Sequence, residues 1–540
     1  MTEMVAPTGV GDRKLYARKS SGLIRTIGIF GAMVFGVHCI SLSSSGLIPY
    51  SWIAGVWPGS SIIGVLTVAM IFCLFHGYTY AAIGATMPRS AADYTLGSRV
   101  LSPPAAFAAS WTLVIFSAMV AGSLIAWIPL VALPTLTKTM GILFNNPSLV
   151  SFASWSGSPT GIIVIGTVCA IITFVLMILP TRTIVRILEV GFFLGLIAWV
   201  IIYFQLLTPV EQFPAAWDRF MGAGSYASRI PTAEQLGMVI NPNVALMSLA
   251  GLIMGFWVFY GYYIPTFFAG EVKQADRTLL AGSWSSLLVT WAIFVLGAIL
   301  LQRLVPLEWI AAESYLAQTP AYASENLTMP YITFFAAVVR PSFPLILFIA
   351  FVWIYTLINL AQTYFFYCSR IVFAWSFDRL IPEKVCWIHP KLHSPIWAIT
   401  IIAIIAEIGI IDAARGGVMG AQLNFVFFAV CTMFVPVTAM TLFPYLKPDL
   451  FENSSAFVRR RIGKVPVVTI VGAITLAYMV WMIYASFAFP AVGGGISPLK
   501  LGILVGLVVS GLIVFYVARA YRLRKEGIDI NWTFQSVPPV

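Results

Sequence analysis

Polar side chains are concentrated in one short part of an otherwise apolar stretch near the start of the chain. Residues 37–49 read VHCISLSSSGLIP, with serines and a glycine where a membrane helix normally carries leucine. Backbone N–H groups at the start of a helix bind anions, and opened carbonyls accept hydrogen bonds from an ammonium group. The stretch therefore predicts a site for the charged ends of a small molecule; the candidates are Ser41, Ser43, Ser44, Ser45 and Gly46.

The same residues have a structural explanation that the sequence leaves open. Serine hydroxyls in membrane helices also bond back to their own helix or mediate helix packing. His38 is a lone histidine in this apolar stretch, and an ionisable group at such a depth is a functional candidate. It could contact substrate, titrate during transport, or remain a neutral, hydrogen-bonded packing residue.

A second apolar stretch carries its own interruptions. Residues 254–271 read MGFWVFYGYYIPTFFAGE, with Gly255, Gly261 and Pro265 inside the stretch. Proline removes a backbone donor and glycine lowers the cost of unwinding, so a break is predicted here. Carbonyls at the break could hold an ammonium group, and aromatic faces could add cation–π attraction or enclose an apolar side chain. The candidates on this side are Phe259, Tyr260, Gly261, Tyr262 and Tyr263.

Composition indicates the kind of element that must position these groups. The chain has 540 residues, of which 60% are hydrophobic and 9% are charged. Soluble domains carry about 25% charged residues, so most of this surface must face lipid. Because each span must satisfy its own backbone in lipid, we predict an all-α integral membrane fold.

About twelve apolar stretches are long enough to span a bilayer. The predicted spans are 26–48, 61–86, 104–133, 159–179, 188–208, 245–268, 278–301, 342–373, 395–412, 421–444, 465–487 and 499–518. The predicted organisation is a tail over 1–25, a core over 26–444 with halves of about 26–208 and 245–444, two last helices within 465–518, and a tail over 519–540. The interrupted first and sixth spans occupy corresponding places in the two halves, which is typical of a transporter's midplane site.

The distribution of charge predicts the orientation. The net charge is +11, and most lysines and arginines fall on one side if the spans alternate. This bias follows the positive-inside rule and predicts that both termini are cytoplasmic in a multi-pass protein of the cell membrane. The basic balance therefore indicates topology and lipid contact, and we expect no nucleic-acid partner.

No motif in the sequence indicates enzyme activity or a metal site. The sequence has no HExxH, no paired intramembrane aspartates and no ATP-binding P-loop. The six cysteines show no metal spacing, and we interpret them as small apolar residues. We expect no enzyme activity, no cofactor and no metal.

Three motifs carry a resemblance to a known family. They are MPRSAADYTLGSRVLSP (87–103), FYGYYIPTFFAGEVKQADR (259–277) and SRIVFAWSFDRLIPEKVCWIHPKLHSP (369–395). In this order they resemble motifs at cytoplasmic helix ends in permeases of the amino acid–polyamine–organocation superfamily, and the likeness covers roughly residues 25–520. The resemblance implies a five-plus-five inverted repeat with discontinuous helices 1 and 6, followed by two further helices.

The departures from the family pattern concern substrate and coupling. SLSSSG stands where members usually have a GxG-type signature, and Tyr263 stands where many have an acidic or small polar residue. Some proton-coupled members carry a lysine in span five, where this chain has Gly195. Asn359 and Thr363 lie one turn apart on one face of span eight, where some relatives bind sodium; helix packing is the explanation that the sequence favours for them. The coupling ion, a proton or sodium, stays open.

Charged residues in the cytoplasmic motifs form a separate candidate site. They are Arg89, Asp93, Arg99, Glu271, Arg370 and Asp378. We expect some of them to pair across an inner gate when the substrate site faces outward; static loop anchoring is the alternative.

The function that these features predict together is secondary transport of small, zwitterionic amino acids by alternating access. Tyr263 in place of an acidic residue argues against a dicationic polyamine substrate. A carrier of organic amines or nucleobases with the same fold is the nearest alternative. A membrane-embedded enzyme or a sensor without transport activity is the alternative of another class.

Overall fold

The computed structural model describes residues 24–319, 329–417, 422–489 and 495–535, except for the side chains of 422–424. Secondary structure in these ranges is almost entirely helical, as the composition predicts. The strands within the described residues form one short antiparallel hairpin, Arg461–Ile462 with Val465–Pro466.

Ten helices of the described chain are long and apolar enough to cross a membrane. They are Ile62–Thr86, Pro103–Leu143, Pro159–Met177, Thr181–Leu206, Ala275–Leu304, Phe343–Phe377, Ile396–Ala414, Phe425–Leu446, Val467–Ala488 and Pro498–Glu526. Each coincides with a predicted span. The other two predicted spans, 26–48 and 245–268, are the interrupted stretches.

The first interrupted stretch, called here the first broken segment, covers residues 29–56. The helix Ile29–Ile40 ends at Ser41, whose φ of 72° is in the left-handed region that a continuing helix cannot use. A short turn, Ser44–Leu47, and the helix Pro49–Val56 then continue the segment. The sequence predicts an interruption at this place, and the structure has one.

The second broken segment covers residues 244–271. The helix Val244–Phe259 ends before Gly261, whose φ of 122° is readily accessible only to glycine. Two 3₁₀ turns, Ile264–Phe267 and Ala269–Glu271, follow the break. Four consecutive residues, 260–263, thus lie outside regular helix between the two parts of this segment.

Shorter helices occupy several predicted loops. They are Ala92–Val100, Pro147–Ser156, Gln212–Met221, Ser225–Gln235, Leu307–Leu316, Ile332–Val339 and Pro448–Glu452, with 3₁₀ turns at Glu383–Cys386 and Ile530–Gln535. The third span extends beyond its predicted end at 133, because a π-helical turn over Ile128–Ala132 carries the helix past two prolines to Leu143.

Small residues allow the closest approaches between long helices. A Cβ added to Gly122 would collide with the carbonyl of Ala406, and one added to Gly409 would collide with that of Met119. The helices that carry these glycines therefore cross backbone against backbone, as small residues permit in membranes. The first broken segment packs on Ala275–Leu304 in a similar way: a Cβ on Gly36 would lie 2.6 Å from the Ser286 hydroxyl oxygen.

Candidate functional site

The two breaks lie against each other inside the helix bundle. A Cβ built on Gly261 would lie 2.5 Å from the Cβ of Cys39. Cys39 is the second-last residue of the helix Ile29–Ile40 in the first broken segment. Glycine is therefore required at this contact both by its positive φ and by space. We call residues 41–43 and 260–263 the break region.

The serines of the first break are partly engaged within the protein. The Ser41 hydroxyl accepts a hydrogen bond from the N–H of Ser44 at 3.2 Å and lies 3.1 Å from the Ser43 hydroxyl. The Thr356 hydroxyl donates to the Ser43 hydroxyl at 2.7 Å. Ser44 and Ser45 are buried in the turn that follows. The serines thus cap and tether the second half of the segment, as the structural explanation proposes, and each hydroxyl oxygen has further hydrogen-bonding capacity.

Gly46 and the Leu42 carbonyl face neighbouring helices. A Cβ on Gly46 would lie 2.7 Å from the Phe294 ring and 2.8 Å from that of Trp199, so this glycine permits close packing. The Trp199 indole N–H donates to the Leu42 carbonyl at 2.9 Å, which satisfies one of the unwound backbone groups. A cavity of about 10 Å³, lined in part by Leu42, Ser43, Trp199 and Thr356, lies beside this bond. A cavity of that size holds roughly one water molecule.

His38 connects the first broken segment to the helix Thr181–Leu206. Its Nε2 lies 2.6 Å from the carbonyl oxygen of Leu188, and the side chain is fully buried. A carbonyl can only accept, so Nε2 carries the hydrogen in this bond. The predicted histidine thus has a defined structural partner one helix away.

The second break leaves hydroxyl groups without partners. The Tyr260 and Tyr263 hydroxyls are buried, and neither has a hydrogen-bond partner in the described part of the chain. The Tyr262 hydroxyl lies 2.8 Å from Nδ1 of His76. Phe259 packs its ring on Phe294, with centroids 6.1 Å apart. The five predicted residues 259–263 are therefore brought together, and two of them present unused polar groups.

Three further polar residues belong to this neighbourhood and were not among the predicted candidates. His76 and Tyr80 come from the helix Ile62–Thr86, and their rings lie 5.0 and 4.6 Å from the Tyr263 ring. Tyr367 comes from Phe343–Phe377; its ring stacks on that of Phe267 with centroids 5.1 Å apart, and its hydroxyl has no partner among the described residues. The available sequence signal was the spacing of His76 and Tyr80, one helical turn apart on one face.

The two predicted coupling-ion residues are buried on the helix Phe343–Phe377. The Thr363 hydroxyl donates to the Leu360 carbonyl at 2.7 Å, and the Asn359 amide nitrogen has no partner among the described residues. A Cβ on Gly191 would collide with that amide nitrogen, so Asn359 is pressed against the neighbouring helix. Thr356 on the same helix makes the contact to the first break, and it was not among the predicted candidates.

Three tryptophans cover the break region on the side away from Glu271. Trp52 and Trp257 stack with ring centroids 6.0 Å apart and an interplanar angle of 18°, and Trp127 lies edge-on to Trp52 at 6.3 Å. Trp52 and Trp257 come from the two broken segments themselves. This tryptophan cluster therefore joins the helix Pro49–Val56 of the first broken segment to the helix Val244–Phe259 of the second.

Glu271 and Arg370 form a buried ion pair at the other end of the second broken segment. Arg370 Nε and Nη2 donate to the two carboxylate oxygens at 2.7 and 3.2 Å. The Thr181 hydroxyl adds a donor at 3.1 Å, and the guanidinium lies 3.8 Å from the centroid of the Phe366 ring. The Glu271 carbonyl also accepts from the N–H of Ile27 at 3.1 Å, so both broken segments are anchored here.

Arg99 and Asp378 form a second buried pair. The two guanidinium nitrogens Nη1 and Nη2 contact the two carboxylate oxygens at 2.9 and 3.0 Å. The Tyr94 hydroxyl donates to Asp378 at 2.9 Å, and the Phe534 ring lies 5.0 Å from the guanidinium. We call Arg99, Asp378, Glu271 and Arg370 the charged cluster. Of the six charged candidates, the structure joins these four in two pairs.

The remaining two charged candidates behave differently. Arg89 is half-buried and donates to the Pro88 carbonyl at 3.0 Å. Asp93 is buried, and one of its carboxyl oxygens has no hydrogen-bond partner in the described ranges. Burial raises the pKa of this carboxyl to about 7, although N–H groups of its own helical turn oppose the shift.

The chain is similar in sequence to known amino acid permeases. The family model described as amino acid permease matches residues 22–514. The branched-chain amino acid permease BcaP of Bacillus subtilis (strain 168) is 22% identical over 391 residues, which cover 69% of this chain and 71% of that protein.

Proposed function

Because the chain belongs to the amino acid permease family, we propose that it is a secondary transporter of small, zwitterionic amino acids that works by alternating access. The observation that carries this proposal is the meeting of two broken helical segments at the Gly261–Cys39 contact. Half-helix ends and opened carbonyls at that depth suit a molecule with a carboxylate and an ammonium group.

Unused polar groups in the break region support a binding role. A buried polar atom without a partner costs about 1–3 kcal/mol. Tyr260 and Tyr263 each leave such an atom in the described structure, and Asn359, which lies close to Gly191, leaves another outside the break region. A ligand that bonds to these atoms would recover that free energy on binding.

The lining of the break region favours a neutral substrate with an apolar side chain. Residues 38–46 and 259–263 contain no Asp, Glu, Lys or Arg, so a net charge on the ligand would lack a counter-ion here. The rings of residues 259–263 and the thiol of Cys39 provide apolar surface. The name of the Bacillus subtilis relative, a branched-chain amino acid permease, is in keeping with a Leu, Ile or Val side chain.

The charged cluster and the tryptophan cluster are the proposed gates. Arg99–Asp378 and Glu271–Arg370 hold the side of the break region that we assign to the cytoplasm, and Trp52 with Trp257 covers the opposite side. In this proposal the described state is closed towards the cytoplasm. Twelve spans in a five-plus-five inverted repeat, cytoplasmic termini and a place in the cell membrane complete the proposal.

The test is binding and exchange by the purified protein. We expect small neutral amino acids to raise the apparent Tm, because a ligand stabilises the state that binds it. We expect the same compounds to support counterflow of labelled substrate in proteoliposomes. Stabilisation by amines or nucleobases alone would favour the alternative carrier, and a chemically altered substrate would indicate an enzyme.

A matched pair of glycine substitutions tests the location of the site. Gly261→Ala adds a Cβ against Cys39, whereas Gly222→Ala adds one at a similarly positive φ of 101° with no atom within 4 Å. We expect Gly261→Ala to abolish amino acid stabilisation and Gly222→Ala to retain it. Equal retention by both variants would contradict a site at the breaks.

A further inference from the structure

Asp93 differs from the two carboxylates of the charged cluster. Glu271 and Asp378 are each paired with an arginine, but one Asp93 oxygen has no partner in the described part of the chain. Asp93 is 4% exposed and lies in the first turn of the helix Ala92–Val100. A carboxylate in this position keeps its charge at a cost, since burial disfavours the ionised form.

The elements packed against Asp93 supply few ionisable groups. The helix Ile62–Thr86 presents Tyr80, which is within electrostatic range of the carboxyl group. On its own helix, Tyr94 and Arg99 are both bonded to Asp378. Neither Ile264–Phe267 nor Ile530–Gln535 contains an ionisable residue.

A small cavity lies beside Asp93 between two long helices. Its volume is about 10 Å³, which admits roughly one water molecule. The residues that line it from those helices are Ala106, Ala109, Ser110, Leu113, Thr432, Val435 and Pro436, and none of them ionises. Among the described residues, the lining of this cavity therefore offers hydroxyl groups and space for water, but no cation to hold the carboxylate.

Three tyrosines lie in series between the surroundings of Asp93 and the break region, in the order 80, 263 and 260. The Tyr80 ring lies 4.6 Å from the Tyr263 ring, which lies 5.4 Å from the Tyr260 ring. All three hydroxyls are buried and without partners in the described ranges. The three hydroxyls are not bonded to one another in the described structure, so a proton can pass along the series only through water molecules that bridge them. Each hydroxyl can accept one hydrogen bond while donating another, as such a relay requires.

We propose that Asp93 is the coupling-proton site of this transporter, loaded through the hydroxyls of Tyr260, Tyr263 and Tyr80 and emptied into the cytoplasm when the charged cluster opens. This inference rests on the proposed transport function. On opening, the Asp93 O–H bond breaks, the proton passes to cytoplasmic water and a carboxylate remains. On reloading, each hydroxyl and each bridging water accepts one proton and gives up its own, so the Asp93 carboxylate regains one proton per cycle.

The direction of coupling follows from burial. In the closed state, burial raises the pKa of the Asp93 carboxyl to about 7. The pKa of a hydrated aspartate is about 3.9. The closed state therefore binds the proton more tightly than the open state. Protonation favours closure below about pH 7, and that contribution is lost as pH rises through this value.

Proteoliposomes that contain the full-length protein test the assignment. We expect an external acid step to drive substrate accumulation by the unsubstituted protein. Asp93→Asn keeps the shape of the side chain but cannot release this proton; it should lose at least tenfold in accumulation relative to its own exchange rate. Asp276→Asn, at an exposed aspartate in the first turn of another helix, is the matched control and should retain both.

A second readout does not depend on transport. Hydrogen exchange in residues 92–100 should accelerate as pH rises through about 7 beyond the intrinsic rate increase, and this excess should vanish in Asp93→Asn. Tyr80→Phe should reduce gradient-driven accumulation several-fold because it removes one hydroxyl from the series.

The outcomes separate the two proposals. If Asp93→Asn accumulates substrate like the unsubstituted protein, or its hydrogen exchange keeps the same excess pH dependence, Asp93 is not the proton site. Accumulation that requires sodium and ignores the acid step would also overturn the assignment. If the unsubstituted protein shows no exchange at all, the transport function itself fails, and the coupling role fails with it.

Discussion

The charged cluster and the break region both bury polar groups, but the charged cluster pairs its charges within the protein. Among the described residues, Arg99 Nε is the exception in that cluster, because it has no hydrogen-bond partner. Arg370 and Arg99 each make a two-pronged contact to a carboxylate, and hydroxyl groups of Thr181 and Tyr94 complete the two sites. In the break region, by contrast, the tyrosine hydroxyls of 260 and 263 remain unpaired in the described structure. The first arrangement pairs its charges within the protein, as the proposed gate requires. In the proposed mechanism, bound substrate pairs the open hydroxyls of the second.

This difference has an energetic consequence. Removing one partner of a buried ion pair costs about 3–5 kcal/mol, because an unpaired charge is left behind. Leaving a neutral hydroxyl unpaired costs less, about 1–3 kcal/mol. Ligand contacts in the break region can therefore offset part of what it costs to separate the charged cluster, and this is how the proposed transport cycle would link binding to opening.

The largest expected effect comes from breaking the charged cluster. Arg370→Met leaves Glu271 buried without its cation and should destabilise the protein by about 3–5 kcal/mol. Thermal unfolding in detergent measures the loss. Adding Glu271→Gln to the same protein should restore much of it, because the buried charge is then removed. A double variant as unstable as the single one would contradict the pairing.

An exposed ion pair provides the control for that experiment. Arg461 and Glu452 also contact each other, but their side chains are 44% and 57% exposed. Glu452→Gln should therefore change stability by at most about 1 kcal/mol. A loss as large as that of Arg370→Met would show that burial does not set the energies of these pairs.

A tyrosine-to-phenylalanine substitution in each of the two regions should give the next largest difference in stability. Tyr94→Phe removes a hydroxyl that donates to the Asp378 carboxylate, and it should cost about 1.5–3 kcal/mol. Tyr263→Phe removes a hydroxyl without a described partner, so it should leave stability unchanged or slightly higher. Thermal unfolding of both variants decides this. Substrate affinity should fall in Tyr263→Phe, and a stability loss equal to that of Tyr94→Phe would refute the contrast.

The smallest expected effect is a pH dependence that belongs to Asp93 alone. Its raised pKa makes the closed state bind a proton more tightly, so apparent stability should decline slightly as pH rises from 6 to 8. Unfolding measured across this range for the unsubstituted protein and Asp93→Asn would reveal the difference. Parallel pH profiles for the two proteins would exclude a contribution from Asp93.

Sequence reasoning located the breaks because their causes are local. Glycine and proline at 261 and 265 interrupt a helix wherever they occur, and a run of serines near residue 43 signals the first break. The positions of ten long helices were predictable for the same reason, since apolar length is a local property.

The hydrogen-bond and ion-pair partners of the site residues were not predictable from the sequence, because they depend on contacts between distant parts of the chain. Thr356 reaches Ser43 across 313 positions, and Trp199 reaches the Leu42 carbonyl across 157. The sequence indicated which charges stand near the helix ends, but it did not separate Asp93 from Asp378. Only the packing of their helices brings an arginine to one and leaves the other without a described ion-pair partner.

The most direct test of the central claim asks whether the break region recognises both charged ends of one amino acid. Thermal shift with leucine, isovaleric acid and isoamylamine compares one apolar side chain with both charges, the carboxylate alone and the ammonium alone. We predict that leucine raises the apparent Tm, that neither single-charge analogue does so at the same concentration, and that Gly261→Ala abolishes the leucine effect. An unchanged leucine shift in Gly261→Ala, or equal shifts with the three compounds, would contradict a substrate site built from the two broken helices.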